Sequence, residues 1–150
     1  MKPNEKPETF GELRQRYDER FTTYKFELPP DTNISMIVDN SVPNERDIYF
    51  VFDGLGCEGI PVYIGKAGTL KNNVWLNQGL RDRLKALQGR IPRNKFFRDR
   101  INRQAIAGMS FLCFKTMDDK NALLPHAAEA NAMQAYLEEY KQLPILNTGY

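Results

Sequence analysis

Histidine and cysteine are scarce: one His and two Cys stand among 150 residues. Cys57 and Cys113 lack a CxxC spacing, and a single histidine cannot complete a ligand set with them, so neither a zinc site nor a disulfide framework is expected. Both read as free thiols, Cys113 as part of the core. Long hydrophobic runs are missing as well. No apolar stretch approaches the roughly 20 residues that a membrane-spanning helix requires, and the opening "MKPNEKPETF" has no apolar signal segment. A membrane partner is therefore not expected, and a cytoplasmic location is. With 41% hydrophobic and 27% charged residues, the composition is that of one soluble core.

The formal net charge of only +2 conceals an uneven distribution. From Lys66 to Arg103, eleven Lys and Arg face only Asp82 and Asp99, a local charge of +9; the remaining ten basic and seventeen acidic residues make −7. A concentrated basic segment on an acidic chain suits a polyanion, because counterion release from phosphates drives binding. The plainer reading is a solvated helix face.

Periodicity outlines the elements. Thr9 and Glu12 have capping-box spacing, and Phe10, Leu13, Tyr17 and Phe21 share one stripe, which predicts a helix over 9–21. Between Lys25 and Arg46, the prolines Pro29, Pro30 and Pro43 predict an irregular arm with one short strand at "ISMIV". Residues 47–52 and 61–65 form a hairpin around "DGLGCEG"; helices are predicted over 77–89, 93–106 and 125–141, and a strand over 109–116.

Several side chains are out of place for a core. Tyr49 and Tyr63 sit in the two apolar strands on faces that can coincide, as packed aromatics or as a polar pair. Glu129 falls on the apolar stripe of the last helix with Met133, Tyr136, Leu137 and Tyr140, while Glu138 and Glu139 fall outside it. A carboxylate there needs a partner from elsewhere in the fold, the free N–H groups of the helix start near Pro125, or a bound cation. Arg83 borders the stripe of Leu80, Leu84 and Leu87, where a planar guanidinium can clamp a phosphate or merely cover apolar surface. His126, at a helix start, reads as structural ahead of a substrate contact, and Trp75 as anchoring a loop ahead of wedging into a groove.

In order, "DIYFVF", "VYIGKAG", "RDRL", "PHAAEANAM" and "LPILN" resemble the motifs of the GIY-YIG nuclease domain over residues 46–148. The resemblance implies an α+β fold, a small three-stranded antiparallel sheet flanked by helices, with residues 1–45 as an N-terminal helix and arm and 46–150 as the nuclease-like domain. It implies metal-dependent hydrolysis of DNA phosphodiesters, double-stranded DNA being the partner. Tyr49 matches the first motif's tyrosine, Tyr63 and Gly65 the second motif, Lys66 the lysine that follows, Arg83 the helix arginine, Glu129 the metal-binding glutamate and Asn147 the terminal asparagine. Mg²⁺, or Mn²⁺ in its place, is the implied cofactor. Lys71, Arg81, Lys85, Arg90, Arg93, Lys95 and Arg98 are the expected DNA-backbone contacts. Tyr49 is the favoured general base, with Tyr63 orienting water or phosphate, although the roles can be exchanged. Asp47 stands where the first motif has glycine, and Leu87 where many members carry histidine or tyrosine. The alternative is a nucleic-acid-binding module on the same scaffold that does not cut. Residues 1–45 offer room for specificity or for a homodimer contact.

Overall fold

The computed structural model describes residues 7–29, 46–68, 70–75, 87–88, 91–92 and 108–147. The predicted "ISMIV" strand, the 93–106 helix and residues 77–86 of the earlier helix lie outside these. Helix α1 (Phe10–Arg20) leads into β1 (Thr22–Leu28); β2 (Asp47–Asp53) and β3 (Tyr63–Ala67) form the hairpin. Two short ribbons follow, β4 (Leu70–Lys71) with β5 (Val74–Trp75) and β6 (Leu87–Gln88) with β7 (Ile91–Pro92). Strand β8 (Met109–Lys115) and helix α2 (Pro125–Tyr140) complete the described elements.

The main sheet is antiparallel in the order β1-β8-β2-β3. It therefore has four strands where three were expected, and the fourth comes from the N-terminal arm. Pro29 and Pro30 do not disrupt the arm from Lys25 onward; they follow the strand, whose Tyr24, Phe26 and Leu28 alternate as a sheet requires. The hairpin's second strand begins at Tyr63 instead of residue 61, where Pro61 has no N–H to donate. Leu87 pairs in β6 and so does not continue a helical stripe; Gly89 and Pro92 just beyond it both disfavour helix.

Alternation gives the sheet two apolar faces. Ile48, Phe50, Phe52, Ile64, Leu112 and Phe114 meet α1 and α2 through Phe10, Leu13, Tyr17, Ala128, Ala132, Met133 and Tyr136. Tyr49, Val51, Tyr63, Phe111, Cys113, Phe26 and Leu146 pack together on the other face. Residues of the first 29 thus share both cores with the later strands.

The helix ends follow from capping chemistry. Thr9 Oγ1 accepts the Glu12 N–H at 3.1 Å, and Glu139 of α2 accepts the Phe10 N–H at 2.6 Å, which joins the two helices where their free donors need partners. Pro125 opens α2, and Lys141 in the left-handed region at φ 60° ends it. The Gly-rich hairpin loop is tied down by Ser110, whose hydroxyl accepts the Cys57 N–H at 2.8 Å and donates to the Gly54 carbonyl at 2.9 Å. Both cysteines are free and buried. Among the described residues, no helix is long and apolar enough to cross a membrane.

Candidate active site

Register places the two tyrosines. Tyr24, Cys113, Tyr49 and Gly65 stand side by side across the four strands, and the next row along is Phe26, Phe111, Val51 and Tyr63. Tyr49 and Tyr63 are thus diagonal neighbours on one face, their ring centroids 6.0 Å apart and their planes inclined at 33°. Both rings lean over Gly65. A Cβ at Gly65 would lie 2.5 Å from Cζ and Oη of Tyr49 and 2.8 Å from Cε1 of Tyr63, so only glycine leaves room for the pair. Tyr49, on an inner strand, is fully buried, whereas Tyr63, on the edge strand, keeps 6% of its surface exposed.

Asn147 is also next to this pair, through the backbone. Its Oδ1 accepts the Ile64 N–H at 3.0 Å and its Nδ2 donates to the Ile64 carbonyl at 2.9 Å, while the Leu146 N–H reaches the Val62 carbonyl at 2.8 Å. The amide acts as a short extra strand against the outer edge of β3, in the stretch that presents Tyr63 and Gly65. Asn147→Ala is expected to lower stability by about 1–3 kcal/mol, read by denaturant unfolding, since two Ile64 backbone groups lose their partners.

Glu129 is buried on α2, at 9% exposure, as its place on the stripe predicted. Glu138 and Glu139 are exposed, but Leu137 is exposed too, and the buried side of the helix is made instead by Ala128, Ala132, Met133, Ala135 and Tyr136. The Tyr17 hydroxyl donates to the Ala128 carbonyl at 2.9 Å. That bond ties the first turns of α2 to the end of α1, close to where Thr22, Lys115, Asp47 and Ala67 form one end of the sheet. Glu129 thus belongs to the helix that covers the sheet face opposite to the Tyr49 and Tyr63 rings. His126 is exposed in the same first turn.

Lys66 follows Ile64 in the alternation and leaves the sheet on the helix-covered face, opposite to Tyr49 and Tyr63. The structure does not set it beside either phenol. Arg83, Arg81, Lys85, Arg90, Arg93, Lys95 and Arg98 lie outside the described residues, and Lys71 lies in β4.

Asp47 is buried completely and accepts a hydrogen bond from the Tyr24 hydroxyl, two strands away. The Lys115 ammonium sits 5.8 Å from the centre of the Tyr24 ring. Burial first, then the neighbouring Cys113 and Asp47, push the Tyr24 phenol well above its ordinary value. Burial and then the Asp47 charge likewise push the Cys113 thiol up. Tyr24 precedes the irregular arm expected from Lys25, and the Tyr24–Phe26–Leu28 alternation is the local signal for its strand.

Glu129 is a single buried carboxylate, and among the described residues no group of three or more His, Cys, Asp or Glu that could hold a metal ion comes together. A cation held by one carboxylate would need waters or phosphate oxygens for the rest of its ligands, as Mg²⁺ does. Compared with protein-family models, with curated proteins and with solved structures, the chain matches none of them.

Proposed function

We propose that this protein is a metal-dependent endonuclease that hydrolyses phosphodiester bonds of double-stranded DNA. The observation that carries the reading is the convergence of Tyr49 and Tyr63 over Gly65, since two phenols held on one rigid sheet face can hold and move a proton at a reacting water. Three further features support it: the buried carboxylate of Glu129, the amide clamp of Asn147 on the strand of Tyr63, and the +9 segment from Lys66 to Arg103. The ordered motifs that resemble the GIY-YIG nuclease domain point to the same chemistry.

In this reading Glu129 would hold a divalent cation, Mg²⁺ or Mn²⁺, and the cation would supply neutralisation of charge developing on the scissile phosphate and the leaving oxygen. Arg83 is assigned to the phosphate by its motif position, where a bidentate guanidinium stabilises the crowded anionic transition state. One tyrosine accepts the proton of the attacking water, and the other donates its O–H to that water or to the phosphate. Asn147 acts through Ile64 as a positioning residue for Tyr63. The basic segment holds the DNA backbone without reading its sequence.

The test is incubation of plasmid DNA with the full chain in Mg²⁺, in Mn²⁺ and in chelator, beside Glu129→Ala. Cleavage is expected in either metal and is expected to disappear in chelator and in the variant, with salt-dependent DNA binding retained by the variant. Cleavage by Glu129→Ala at the unaltered rate would refute the site.

A further inference from the structure

The two long edges of the main sheet are treated differently. The outer edge of β3 is met by Leu146 and Asn147, which bond the backbone of Val62 and Ile64. Among the described residues, β1 has β8 for its only strand neighbour, so its other edge is open. An edge strand keeps the N–H and C=O groups of alternate residues pointing outward, a template for one more strand. Strand β1 runs from Thr22 to Leu28, with Pro29 and Pro30 behind it and no proline within it. Charges are the usual defence of such an edge, and β1 carries Lys25 and Glu27, both exposed and neither in an ion pair among the described residues. They stand two apart on one face, opposite to the face of Tyr24, Phe26 and Leu28. Their exposure leaves this half of the edge open on the helix side of the sheet.

We infer that β1 is the contact by which two copies of this chain pair, strand against strand in antiparallel order about a two-fold axis at Phe26, so that two four-stranded sheets become one of eight strands. Charge selects the register. A two-fold axis perpendicular to the sheet sets residues of one face only against each other, so it must pass at a residue. Centred on Lys25 it opposes two lysines, and centred on Glu27 two glutamates. Centred on Tyr24 it sets Lys25 against Thr23, and centred on Leu28 the overlap runs out of β1 into Pro29 and Pro30. Centred on Phe26, it places Lys25 of each copy opposite Glu27 of the other, twice by symmetry. Opposite charges directly across a sheet attract where like charges would repel, so the residues that guard this edge against other strands are complementary to themselves.

The rest of the strand fits the same register. On the other face Tyr24 meets Leu28 and Phe26 meets itself, which covers the half-buried Tyr24 and the 8% of Phe26 that one copy leaves exposed. Pro29 falls opposite Thr23, at the end of the ladder, where a missing N–H matters least. Because the axis keeps each face on its own side, the Tyr49–Tyr63 faces of both copies lie on one side of the joined sheet, and α1 and α2 of both on the other. A single strand pair buries less than the roughly 1,200 Å² of a stable interface, so the association is weak, with a dissociation constant in the micromolar range. The pairing needs nothing from the nuclease reading and stands whether or not the chain cuts DNA.

The test has two arms on the full chain, freed of DNA. In the first, sedimentation across concentration is expected to show monomer passing to dimer. Glu27→Lys turns both attractive pairs repulsive and is expected to raise the dissociation constant about tenfold or more. Adding Lys25→Glu to it restores the opposition of charges and should return the constant to within about threefold of the unaltered chain. The second arm reads the register by disulfide trapping. A mixture of Lys25→Cys and Glu27→Cys chains is expected to cross-link as unlike pairs, which still keep one of the two charge pairs. Either variant alone is expected to stay uncrosslinked, because its two thiols would stand diagonally across the ladder, beyond disulfide reach. The native Cys57 and Cys113 are buried and stay out of the reaction. An unaltered chain that remains monomeric at about 300 µM, a dimer indifferent to Glu27→Lys, or cross-linking in either variant alone would each overturn the inference.

Discussion

Gly65→Ala is expected to melt roughly 5–10 °C below the unaltered chain and, on the proposed nuclease reading, to lose DNA cleavage. The expectation follows from one added carbon. Its position, 2.5 Å from two atoms of the Tyr49 ring and 2.8 Å from the Tyr63 ring, is closer than any real contact of a Cβ. Neither ring can step aside freely, because Tyr49 is fully buried, packed against Phe111 with centroids 6.4 Å apart, and Tyr63 is packed against Tyr49 itself. Overpacking of this kind costs about 2–3 kcal/mol. Cleavage should suffer more than stability, since both proposed catalytic hydroxyls are displaced together and catalytic groups tolerate little misplacement. A thermal melt and a plasmid assay on one preparation check both parts. An unchanged melting temperature with full cleavage would show that the two rings do not share the space above Gly65.

Phe50→Ala should cost still more stability, about 3–5 kcal/mol, a large fraction of the roughly 5–15 kcal/mol that holds a domain together. Phe50 is fully buried on inner strand β2, with the ring of Phe10 from α1 at 5.3 Å and that of Phe114 from β8 at 5.3 Å. It joins the first helix to the sheet, and Phe10 in turn meets Tyr136 of α2 edge-on at 5.5 Å. Truncation leaves a cavity at the junction of three elements, with partners on rigid backbones that cannot close it. Urea unfolding followed by fluorescence gives the number. The matching change at Phe26→Ala, on outer strand β1 where the ring is stacked on Phe111 and 8% exposed, should cost less.

How legible these features were in the amino-acid order depends on the range of the physics involved. Local signals sufficed for α1, with its Thr9 cap and its stripe of Phe10, Leu13 and Tyr17, for β2, β8 and α2, and for the burial of Glu129. Strand β1 was obscured because three prolines lowered the expectation for a whole stretch when Pro29 and Pro30 stand only behind it. Its pairing with β8 joins residues about ninety positions apart, and no local pattern encodes such a partner. The same distance hid the answer to Asp47. At the start of a strand, where the resembling motif has glycine, an aspartate looks like a threat to backbone geometry. In the fold it is a buried acceptor whose donor, Tyr24, belongs to the strand that was not foreseen. Asn147 shows a further limit, since a motif can mark an amide without revealing that its partners are the backbone groups of Ile64.

The sheet order also bears on how the chain reaches its native state. Among the four main strands, β8 comes last in sequence yet lies inside, between β1 and β2, which do not pair with each other. On a ribosome, the β2–β3 hairpin can close as soon as it emerges, but β1 must wait, unpaired, until residues 109–115 have been made. Pairings of such long range slow folding, because chain ends far apart must be brought together before any contact stabilises them. The row of Tyr24, Cys113, Tyr49 and Gly65 is therefore assembled by the last of the four main strands to be synthesised, and the tyrosine face is completed only once residues 109–115 have emerged.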